Sequence, residues 1–117
     1  MHYSRKNQPA KHLEPELFGA AFLQLDQVIE RFHPLLEDDP LLQERLETIC
    51  GELKARAIER KPVEHDKSVR VIKRLEQASN HAMDVAKEDE DASTFFALAN
   101  ELRLCSIQFQ RNLTSAT

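Results

Sequence analysis

With 117 residues the chain is long enough for one domain with its own core, and it needs no disulfide or metal staples to fold. Two Gly, 6% aromatic residues and an abundance of Leu, Ala, Glu, Arg, Gln and Lys argue against an all-β fold, because these residues lose little rotamer freedom in a helix. A net charge of -4 disfavours non-specific nucleic-acid binding, two Cys are too few for the framework of a small secreted domain, and no apolar run approaches the length of a membrane span.

Residues 1 to 12 are polar and lack an apolar period, so they read as a flexible N-terminal arm, and no signal-peptide core follows Met1. Pro15 suits the first position of a helix, and Phe18, Ala21, Phe22, Leu25, Val28, Ile29 and Phe32 follow at steps of three and four before Pro34 stops it near His33. Asp39-Pro40 marks the second start, since a carboxylate can accept from the free amides of a first turn and Pro has no amide there to satisfy. Its stripe is Leu42, Leu46, Ile49, Leu53 and Ala57, widened by Cys50 and Ile58. Pro62 breaks the chain or opens a third helix with Val71, Ile72, Leu75, Ala78, Ala82, Val85 and Ala86 on one face. The acidic run from Glu88 to Asp91 closes it, and Phe95, Leu98, Leu102, Cys105 and Phe109 form the seam of a fourth.

Four such segments joined by short connections predict an all-α fold, a single four-helix up-and-down antiparallel bundle over residues 13–117, of either handedness. Both Cys fall in apolar stretches and are expected as buried, reduced thiols of a cytoplasmic protein. The fourth helix has apolar residues on a second side, namely Phe96, Ala97, Leu104 and Ile107. Either it is the central helix, or Phe96, Leu104 and Ile107 form an oligomer face such as that of a homodimer.

Several short motifs carry candidate chemistry. Glu30-x-x-His33 puts a carboxylate and an imidazole on one helical face, resembling half of a di-iron bundle site, though no second copy occurs. Glu44-x-x-Glu47 and Glu88-x-x-Asp91 resemble the Mg-binding signature of the all-α nucleotide pyrophosphohydrolases, which would imply carboxylates holding Mg²⁺ against a triphosphate. Forty residues separate the two motifs, more than is usual in that family, and Glu44 points away from its helix's apolar stripe. His81 resembles the phosphorylated residue of histidine phosphotransfer bundles, but Asp84 stands where those have Lys. Arg74 and His81 also resemble the Arg-x6-His of HEPN ribonucleases, with Leu75 in place of that family's polar residue. No Gly-rich phosphate loop or Cys-x-x-Cys pair occurs, and no cofactor is expected.

The strongest functional signal is a charge asymmetry. Lys54, Arg56, Arg60, Lys61, Lys67, Arg70, Lys73 and Arg74 outnumber Glu59, Glu64 and Asp66, so the segment 54–74 carries +5. Lys67, Arg70, Arg74, Gln77 and His81 run along one flank of the third helix, although Arg70 and Arg74 can also pair with carboxylates at helical spacing. The expectation is a small cytoplasmic regulatory or adaptor protein that binds a protein partner, acidic in character, through this flank. A Mg-dependent hydrolase using Glu44, Glu47, Glu88 and Asp91, or nucleic-acid binding through 54–74, are the alternatives.

Overall fold

The computed structural model describes residues 12–88 and 92–116. Nearly all of them are helical, in the order β1 (His12–Leu13), α1 (Pro15–Arg31), α2 (His33–Leu36), α3 (Pro40–Glu59), β2 (Val63–Glu64), α4 (His65–Glu88) and α5 (Ala92–Ala116). The expected all-α class holds, with five helices rather than four among the described residues. The expected arm, 1–12, lies outside them except for His12.

Local chemistry accounts for most boundaries. Glu14 is extended, so Pro15 starts α1 with its fixed φ already suited to the helix. Pro34 does stop α1, which ends at Arg31. The chain then re-enters a single turn, because Pro34 is tolerated at the second position of α2. Asp39 caps α3 as expected, its Oδ1 accepting from the Leu42 amide at 3.1 Å. Arg60 ends α3 in the left-handed region at φ 56°, a position that Gly more often fills. Pro62 therefore breaks the chain and does not open the next helix. Between Pro62 and α4, Val63 and Glu64 form the short strand β2, which pairs antiparallel with β1 through Leu13↔Val63 and His12↔Glu64. This clasp ties the start of the fold to the α3–α4 connection and buries Leu13 and Val63.

The apolar stripes face one core. Phe18, Leu25, Leu36, Leu42, Leu46, Leu53, Leu98 and Leu102 have no exposed surface, and burying each contributes about 1.5–3 kcal/mol relative to exposure. Helix α1 packs on α3 and α5, and α4 packs on α3 and α5. Across α1 and α5, the Phe18 ring meets Phe109 edge-on, with centroids 5.4 Å apart. Across α1 and α3, Gly19 faces Ala57, and an added Cβ there would lie 3.5 Å from the Ala57 Cβ. The α4–α5 contact is the most extensive. The buried residues of α4 include Ala78, Ser79, Ala82 and Ala86, small side chains of the kind that let helices approach closely. There the Ser79 hydroxyl donates to the Ala99 carbonyl at 2.8 Å, which satisfies a buried polar group at the cost of one shared acceptor.

Candidate functional site

The basic flank divides into residues the fold uses and residues it leaves open. Arg74 reaches across from α4 to Glu52 on α3 at 2.7 Å, a charge-assisted contact whose carboxylate is only 12% exposed. Its partner thus comes from the neighbouring helix and not from helical spacing along α4. Arg56 binds Glu59 one turn on at 3.2 Å, and its Nε is buried without a partner. Lys54 lies over the Phe22 ring at 5.8 Å, covering apolar surface between α3 and α1. His81 is half-buried, with Nε2 3.2 Å from Asp39 Oδ2. Asp39 therefore serves two elements, one oxygen capping α3 and the other holding α4. The sequence displays the cap but not this second contact, because residues 39 and 81 meet only after α3 and α4 have packed.

Arg60, Lys61, Lys67, Arg70 and Lys73 are the remainder of the flank, and none forms an ion pair among the described residues. They occupy the α3–α4 connection and the first turns of α4, close to the β1–β2 clasp. All are exposed except Lys67, which is half-buried beside a shallow pocket of about 120 Å³ with Arg56, Lys61 and Pro62. Glu64 and Asp66 are interspersed among them.

A groove runs between α3 and α4 above this end. Its lower part, about 270 Å³, is lined by Leu41, Glu44, Arg45, Thr48, Ile49, Arg74 and Gln77. A wider part, about 590 Å³, continues past Arg45 and Gln77 to Asn80, His81, Asp84 and Glu88. Arg74 and His81 do share this groove, but each is held by a carboxylate of α3. Of the carboxylates suggestive of a Mg site, Glu44 lines the lower part, Glu88 the upper part and Glu47 neither; Asp91 lies outside the described residues. Among the described residues no three His, Cys, Asp or Glu side chains come together as a metal would require. Glu30 and His33 are both exposed, and His33 Nδ1 meets Glu37 at 3.2 Å.

The thiols are buried and unpaired with each other, as expected. Burial pushes each up from the ordinary 9.0 to about 11; Asp26 and Glu47 add to this at Cys50 against Lys54, and Glu101 adds at Cys105 against Arg31. A folded chain then keeps protons that an unfolded thiol has released. The stability this confers is intact below pH 9 and is lost as pH rises toward 11. Alkylation by iodoacetamide at pH 8 is expected to label neither thiol in the native chain and both in denaturant. Rapid native labelling would contradict their burial.

Helix α5 is not central. Phe96 is 41% and Leu104 45% exposed, and Ile107 is half-buried at the edge of the α4–α5 contact. No helix among the described residues is long and apolar enough to cross a membrane. Compared with known proteins, the chain matches no family, no curated sequence and no solved structure.

Proposed function

We propose that the chain is a small cytoplasmic regulatory or adaptor protein, an up-and-down four-helix bundle that docks an acidic protein partner on its basic end. The carrying observation is the contrast within the flank: Arg56, Arg74 and His81 are engaged internally, while Arg60, Lys61, Lys67, Arg70 and Lys73 have no ion pair among the described residues. Long-range attraction from an exposed segment of net positive charge, set in a chain of opposite net charge, steers and orients a complementary partner. A protein fits better than nucleic acid, since the remainder of the chain carries -9 and would repel a long polyanion.

The test is titration of a labelled polyglutamate peptide, polyuridine RNA and a neutral peptide with the full chain at two salt concentrations. Polyglutamate is expected to bind best, more weakly at high salt. Combining Lys67→Glu, Arg70→Glu and Lys73→Glu, all away from the core, is expected to lower its affinity at least about tenfold with unchanged circular dichroism. Indifference to these reversals would overturn the reading, and tighter binding of RNA would replace it with a nucleic-acid function. Mg²⁺-dependent release of pyrophosphate from nucleotides, lost in Glu47→Gln, would replace it with the hydrolase.

A further inference from the structure

Among the described residues one buried side-chain nitrogen or oxygen lacks a hydrogen-bond partner, Arg56 Nε. Buried donors in packed proteins are nearly always paired, so this one marks a position that an acceptor from outside can complete. Glu59 Oε1 meets Arg56 at Nη1, 3.2 Å away, which leaves Nε and Nη2. Those two donors point the same way from the planar guanidinium and form a fork that matches both oxygens of a carboxylate.

Arg56 lines the pocket of about 120 Å³ at the end of α3, which Lys61 from the connection and Lys67 from the first turns of α4 also line. Val63 forms part of the wall and is fixed there, buried and paired with Leu13 in the β1–β2 clasp. Glu59 and Glu64 complete the charged lining, so three cations stand against two carboxylates and the pocket carries +1. One singly charged carboxylate balances it, whereas a phosphoryl group, at about −1.5 to −2, exceeds it. The volume admits the end of one side chain and not a strand or a helix.

We propose that this pocket is a socket for one Asp or Glu side chain of the partner. The proposal rests on the reading that an acidic protein docks on the basic end, and it adds which residues grip that protein and by what group. A rotamer change at the half-buried Arg56 turns the Nε–Nη2 fork toward the incoming carboxylate, and Lys61 and Lys67 flank it. Arg60, Arg70 and Lys73 do not line the pocket and attract the partner at longer range.

The test is titration of the full chain with labelled polyglutamate. Arg56→Lys keeps the charge but loses the fork, and it is expected to lower affinity about tenfold, because Lys offers only a point charge. Arg60→Lys, the same exchange outside the pocket, is expected to leave affinity unchanged. The melting temperature of Arg56→Lys without peptide is expected to match that of the wild type, since Nε has no bond to lose and the Lys amine can still meet Glu59. Lys67→Gln and Lys73→Gln remove equal charge inside and outside the pocket. The first is expected to cost about tenfold in affinity, the second about twofold or less, as an exposed charge does. Equal losses within each inside and outside pair would overturn the socket and leave docking on the basic end standing. Failure of the wild-type chain to bind polyglutamate would overturn both. Tighter binding of a phosphoserine peptide of the same length would overturn the carboxylate as the group the pocket holds.

Discussion

Phe18→Ala is expected to cost about 3–5 kcal/mol of folding stability, the usual range for emptying a large buried aromatic site. The ring has no exposed surface and lies where α1 meets α5, edge-on to Phe109 at 5.4 Å. The loss has two parts. Transfer of the ring from water disappears, and the edge-to-face contact with Phe109, worth about 0.5–1.5 kcal/mol in other aromatic pairs, goes with it. Long helices on both sides resist collapse into the space. Because a domain of this kind is stable by only about 5–15 kcal/mol, the variant is expected to retain little margin. Urea unfolding followed by circular dichroism measures the effect as a shift in midpoint at unchanged slope. A loss below about 1 kcal/mol would mean that α1 and α5 do not enclose this ring as described.

The second large effect is expected at Asp39, where one carboxylate holds two helices. Asp39→Ala removes the cap on Leu42 at the start of α3 and leaves the half-buried His81 of α4 without its partner. A lost cap costs about 1 kcal/mol, and the loss of a partly buried polar partner adds about 1 kcal/mol more. Asp39→Asn separates the parts, because its amide oxygen can still accept from the Leu42 amide. It is expected to recover the cap alone. A double-mutant cycle of Asp39→Ala with His81→Ala measures the coupling directly. Strict additivity would show that the two residues do not interact in solution. The contact also joins α3 to α4 at the wall of the groove, where His81 lies beside Asn80, Asp84 and Glu88.

Much of the secondary structure was legible one residue at a time. Pro15 and the Asp39-Pro40 pair announce helix starts through their own dihedral and hydrogen-bonding chemistry, and both begin helices where expected. Phe95, Leu98, Leu102, Cys105 and Phe109 are all buried, because a seam at steps of three and four has one way to face a core. The single turn α2 was not legible. Pro34 signals a stop, and nothing local says that the chain resumes the helix for His33–Leu36. The β1–β2 clasp was hidden for another reason: its strands have two residues each, too few to show alternation, and they are brought together by the helices between them.

The candidate surfaces divide in the same way. Spacing alone located the basic segment 54–74 and the surplus apolar residues Phe96, Leu104 and Ile107, since charge content and helical angle are local properties. Only the packed helices decided that Arg74 and His81 are engaged with Glu52 and Asp39 while Arg60, Lys61, Lys67, Arg70 and Lys73 form no ion pair among the described residues. They also decided that α5 sits at the side of the fold with Phe96 and Leu104 turned outward. Composition and periodicity determine which residues form helices and which face of each is apolar, because those depend on a residue and its neighbours within a turn or two. Which polar groups meet depends on how far one helix slides along another, and that is set by the shapes of both surfaces together.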